Sequence, residues 1–140
     1  MDSYDLQRFV NAQEEGGTYE QALSELRAGR KTSHWMWFVF PQRAGLGQSA
    51  MSRRYAIGSA AEARAYLDHP VLGPRIVECS KSLLAHDDRS AHEILGGIDA
   101  AKLRSSMTLF AGVAPEQPIF QQILDRYFDG EGDKATADWL

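Results

Sequence analysis

The stretch His34-Trp35-Met36-Trp37-Phe38-Val39-Phe40, with Ser33 before it and Pro41 after it, decides the fold class. Its aromatic richness is that of a buried strand. A strand needs a partner, however, and no other segment of the chain alternates polar and apolar residues with a period of two. The stretch therefore reads as a short buried helix, capped by Ser33 and stopped before Pro41. With its one strand candidate assigned to helix, the chain reads as all-α, a compact multihelical single domain over residues 1–140.

Helical periodicity extends outward on both sides. Upstream, Leu6, Phe9 and Val10 form an apolar stripe that Gly16-Gly17 stops. Thr18 with Gln21 reads as a capping box opening a second helix, whose Tyr19, Ala22, Leu23 and Leu26 follow the i, i+3, i+4, i+7 rule up to Gly29. Downstream, Ser59 with Glu62 forms another box, and that helix must end near His69-Pro70. A stripe of Leu72, Ile76, Cys79 and Leu83 follows, with Pro74 in the first turn. Ser90 with Glu93 opens a short helix ended by Gly96-Gly97, and Asp99 reads as the cap of the next, with Ala100, Leu103, Met107 and Phe110 inward. Pro118 opens a long helix burying Phe120, Ile123, Leu124, Tyr127 and Phe128, and Asp133 caps a final turn.

At 140 residues, with 44% hydrophobic and 24% charged residues, the chain can bury a core without staples. Its single cysteine, Cys79, excludes an intrachain disulfide and reads as a buried structural thiol. The acidic start Met1-Asp2-Ser3-Tyr4-Asp5 does not read as a secretory signal, and the longest apolar run, Trp35 to Phe40, is far below the ~20 residues of a membrane span. A cytoplasmic protein is expected.

The net charge of −4 conceals an asymmetry. No acid lies between Glu25 and Glu62, and from Arg27 to Arg75 eight Arg or Lys face only Glu62 and Asp68. This is either a basic face balanced elsewhere or a patch for an anionic ligand, within an acidic protein that would repel bulk nucleic acid.

Common signatures are missing: no Walker loop, no GxGxxG and no HExxH. The histidines at 34, 69, 86 and 92 lack metal-ligand spacing, so neither metal nor cofactor is expected. Three stretches remain. In the first, Arg30, Lys31, His34, Trp37 and Gln42 put cations beside rings, suited to stacking on a planar ligand while holding its phosphate. Here Trp35 and Phe38 read as core, and His34 and Trp37 share a helix face. In the second, Ser49 caps a helix whose N–H groups are free for an anion, with Ser52, Arg53 and Tyr55 extending the surface. In the third, Lys102, Ser105, Ser106 and Leu109 share a face turned away from the core. Paired serines in mid-helix are disfavoured by propensity, which points to close packing or to a polar site. A serine beside a lysine also suggests a nucleophile pair.

These stretches, together with Gly45-Leu46-Gly47, Tyr55-Ala56-Ile57, Ala65-Tyr66-Leu67, His69-Pro70-Val71-Leu72-Gly73 and Lys102 to Phe110, resemble the bacterial domain of unknown function 1810, from Leu6 to Phe128. The resemblance implies a multihelical fold and no particular activity. Tyr66-Leu67-Asp68-His69-Pro70-Val71-Leu72 is also similar to a family acting on ADP-ribosyl compounds and riboflavin-pathway intermediates, which relies on acidic residues in its pocket.

Three functional expectations follow. One is a pocket for a phosphorylated small molecule such as a nucleotide or ADP-ribose derivative, with Arg30, Lys31, Gln42, Ser49, Ser52, Arg54, Tyr55 and Lys102 binding and Trp37 stacking. In that case His34, Ser105 and Ser106 are the catalytic candidates if the protein is an enzyme. The second is a non-enzymatic interaction module using the same basic, aromatic surface. The third is that the motifs are core and loops, with His34 and Ser105 buried and fully hydrogen-bonded. Oligomeric state is not legible.

Overall fold

The structure is a computed structural model describing residues 2–140. Helix α1 (Gln7–Glu14) and helix α2 (Thr18–Ala28) meet at a tight turn in which Gly16 and Gly17 take φ of 62° and 71°, conformations open to glycine at no steric cost. The expected capping box at Thr18 does not form. Thr18 is already helical and its hydroxyl donates to the Glu15 carbonyl, while Gln21 turns to Glu25. The ambiguous stretch is helical, as one turn, α3 (Met36–Val39). Its cap is not Ser33, whose side chain is drawn away to Glu25.

Next come α4 (Ala50–Arg54), α5 (Ala60–Asp68), α6 (Leu72–Leu84) and α7 (Ala91–Leu95). They are followed by α8 (Gly97–Val113), α9 (Ile119–Phe128) and α10 (Lys134–Trp139). The only pairing of extended backbone among the described residues is an isolated parallel bridge between Arg43 and Ile57. Ser90 and Glu93 make the full reciprocal capping box; Ser59 accepts from Glu62 N–H, but Glu62 answers to Gly58 N–H instead. Asp133 caps α10 as expected.

Helix α8 is the axis of the fold. It packs against α5, α7, α9 and α10, and every residue from Ser105 to Phe110 is buried. The face expected to turn outward is therefore interior. Its hydroxyls are mostly satisfied within the helix: Ser105 donates to the Ala101 carbonyl at 3.2 Å and Thr108 to the Arg104 carbonyl at 2.7 Å. A ladder of rings crosses the core, Phe9 to Tyr66 to Phe110 to Phe120, with centroids 5.1, 5.5 and 5.6 Å apart. Gln13, buried among these rings, donates to both the Phe38 carbonyl and the Tyr66 hydroxyl. Tyr127 and Phe128, expected in the core, are only partly buried.

The His69-Pro70-Val71-Leu72-Gly73 motif is accounted for by the corner between α5 and α6. His69 Nδ1 accepts from Val71 and Leu72 N–H, capping α6 with an imidazole. At Gly73 a Cβ would lie 2.0 Å from the Leu67 carbonyl oxygen, so only glycine permits this crossing.

Candidate functional site

The first and third stretches meet through charge. Lys31, its side chain 8% exposed, reaches Asp99 Oδ2 at 2.9 Å; Lys102 lies 3.7 Å from Asp99 Oδ1. Each ammonium also stands 5.1 Å from an indole centroid, Lys31 over Trp35 and Lys102 over Trp37. Asp99 thus sits in the first turn of α8, between two cations on two tryptophans. The backbone makes this possible: Lys31 N–H donates to the Ile94 carbonyl at the end of α7, laying the 30–35 segment along the start of α8.

A second carboxylate builds that segment from behind. Glu25, 5% exposed on α2, accepts from Thr32 N–H, Ser33 N–H, the Ser33 hydroxyl, the Gln21 amide and the Trp35 indole N–H. Burial alone would raise its pKa, but the donors from Ser33, Thr32, Gln21 and Trp35 outweigh it and hold Glu25 well below the usual carboxylate range.

Sequence reasoning missed both acids. Glu25 figured only as the edge of the acid-free span, and Asp99 only as a cap. The i, i+3 spacing of Asp99 and Lys102 was the signal available.

The remaining candidates divide. Arg30 and His34 are exposed on the same segment, and Trp37 is half-buried beneath Lys102. Ser105 is buried and bonded to its own helix. Ser106 is fully buried, and its hydroxyl has no partner among the described residues. No hydrogen bond joins His34 to either serine in the described residues, so no base is seen poised on a nucleophile.

The second stretch joins the first from the other side. Buried Tyr55 packs on Phe38 with centroids 5.3 Å apart, and the Gln42 carbonyl accepts from Ile57 N–H. Ser49 caps α4 by accepting from Ser52 N–H, and the two hydroxyls are 2.9 Å apart. Arg54 is exposed, with its carbonyl held by Arg8 and its guanidinium over the Tyr55 ring.

Clefts open elsewhere on the surface of the described residues. One of about 340 Å³ lies between Arg64, Asp68, Pro74, Val77, Glu116 and Phe120, a second is near Asp2, Gln7 and His69, and a third lies between α8 and α10. None is lined by Lys31, Trp37, Asp99 or Lys102. Among the described residues no cluster of three His, Cys, Asp or Glu could hold a metal, and no helix is long and apolar enough to cross a membrane.

The structure is similar to the crystal structure of the conserved hypothetical protein Rv1873 from Mycobacterium tuberculosis, with a TM-score of 0.94. The two are 48% identical over 98% of this chain and 96% of that one. No curated protein matches the chain at a significant level. Residues 3–140 match the family described as protein of unknown function (DUF1810), and the chain belongs to that family.

Proposed function

We propose that the protein is a cytoplasmic binder of a small anionic ring compound, of the nucleotide or ADP-ribose type, held where the 30–37 segment meets the start of α8. The observation that carries this reading is the pair of lysines on Asp99, each over a tryptophan. One acid serves two cations there, and Arg30 and His34 stand exposed beside them. A planar ligand would stack on Trp37, displacing the Lys102 ammonium from the ring so that it could pair with a phosphate. Binding rather than turnover is the better-supported role, because Ser105 is engaged within its helix.

A protein partner is the second reading. It draws on the same basic, aromatic surface, where Arg30 and His34 stand exposed and Trp37 is half-buried beneath Lys102.

A thermal-shift titration with ADP-ribose, mononucleotides and sugar phosphates tests the reading. A ligand at about 100 times its Kd adds about 2.7 kcal/mol. The shift should be lost in Trp37→Ala and Lys102→Ala, with both variants folded. No shift with any ligand at millimolar concentration, or equal shifts in both variants, overturns it in favour of the protein-partner reading.

A further inference from the structure

His69 caps α6 through Nδ1, which accepts from Val71 N–H at 3.1 Å and from Leu72 N–H at 3.3 Å. A ring nitrogen that accepts carries no proton, so the neutral imidazole holds its proton on Nε2. That Nε2–H has no hydrogen-bond partner among the described residues, and it is not closed to solvent. The cap itself does not call for an imidazole, because asparagine, aspartate or serine satisfies N–H groups in these positions. What histidine adds is the second nitrogen. It belongs to a residue that lines the cleft of about 340 Å³ near Asp2 and Gln7, so the donor has room in front of it.

The same cleft offers acceptors and a ring. The Asp2 carboxylate takes Leu6 N–H at 2.6 Å on Oδ1 and Gln7 N–H at 2.8 Å on Oδ2. This fixes the group and leaves each oxygen a further lone pair. The Gln7 amide donates to Asn11, and its own Oε1 has no donor among the described residues. Tyr4 is 38% exposed and lines the cleft, and Leu6 and Ala65 give it an apolar wall. No lysine or arginine lines it. The neighbouring Arg8 is committed to Glu62 and to the carbonyls of Tyr4, Asp5, Arg54 and Ala56. An anion would meet the Asp2 charge with no cation to offset it. The ligand these groups suit donates to a carboxylate and accepts from an N–H, and a hydroxyl does both.

We infer that this cleft binds an uncharged sugar. One hydroxyl accepts from His69 Nε2–H, others donate to Asp2 and Gln7, and the apolar face of the pyranose lies against Tyr4. His69 then works through both nitrogens: Nδ1 holds the start of α6 and Nε2 holds the ligand. The site shares no residue with the one at Lys31, Asp99 and Lys102, and its ligand is neutral where that one is anionic.

The test is a titration of the uniformly ¹⁵N-labelled full chain with the methyl α-pyranosides of glucose, mannose and galactose and, separately, with inorganic phosphate. Imidazole nitrogen signals report the His69 tautomer, and the Gln7 and Ala65 amide signals report affinity. At about pH 8, where an ordinary imidazole is neutral, His69 should show the Nε2–H tautomer. Its signals should move saturably with at least one glycoside and not with phosphate. His69→Asn puts Oδ1 at the same distance along the side chain as Nδ1, so it should keep the cap and Tm while affinity falls about tenfold. Tyr4→Ala should also weaken binding, and Lys102→Ala should leave it unchanged. No saturable movement with any of the three glycosides in the wild-type chain overturns the proposal, as does a stronger response to phosphate. Both of those arms hold even if His69→Asn does not fold. Undiminished affinity in a folded His69→Asn overturns it as well.

Discussion

Glu25 holds Trp35: the carboxylate on α2 accepts the indole N–H of a fully buried ring ten residues on, at 2.9 Å, while Thr32 and Ser33 donate to the same oxygen. Removing this acceptor strands several donors at once, each buried or partly buried. Glu25→Ala should therefore cost about 3 kcal/mol or more, and lower Tm by about 10 °C, because the penalty for an unmade buried hydrogen bond is paid at each donor. Glu25→Gln should cost less, since the amide oxygen still accepts. Urea unfolding followed by tryptophan fluorescence checks both.

The same carboxylate gives the fold an acid limit. Its folded pKa is depressed below the unfolded value of about 4.5, so the folded state favours the deprotonated form. The stabilisation is complete above that unfolded value and is lost progressively as pH falls below it toward the folded pKa. Between about pH 6 and about pH 3, wild-type stability should fall more steeply than that of Glu25→Gln, which has no proton to take up. Parallel slopes in the two proteins would count against Glu25 as the source.

At the corner of α5 and α6, Gly73→Ala drives a methyl into backbone rather than into a flexible side chain. It should destabilise by about 3 kcal/mol, at the upper end of overpacking effects. His69→Ala, which removes only the imidazole cap from Val71 and Leu72, should cost about 1 kcal/mol. Thermal denaturation should rank the two in that order.

Cys79 should be inert. Burial pushes its thiol up to about 12, so almost no thiolate exists near neutral pH. A disulfide reagent at about pH 8 should titrate no thiol in the native protein and one after denaturation. Prompt native labelling would mean that the α6 stripe opens readily.

Much of this architecture is readable from local signals, and the failures share a cause. Ser90-Glu93 and Asp133 cap as read because their partners lie three residues away. Ser33 and Thr18 do not, because each has a better acceptor elsewhere: Glu25 for Ser33, and the Glu15 carbonyl for Thr18. On α8 the periodic pattern suggests a polar side. Ser105 and Thr108 nevertheless tolerate burial by bonding to the carbonyls one turn back, which no hydropathy pattern records. In the candidate site, Arg30, Lys31, Trp37 and Lys102 are legible as an interrupted basic and aromatic run. Asp99 as their shared anchor is not, since its meeting with Lys31 spans sixty-eight residues of sequence.

The contact between Glu25 and the 32–35 segment carries a kinetic consequence. Its partners are separated by only seven to ten residues, so the chain closes this loop at small entropic cost. The pairing of Lys31 with Asp99 must wait for a far longer closure. The corner between α2 and α3 is thus suited to assemble early during folding, with the aromatic segment already shaped before α8 arrives to be packed around.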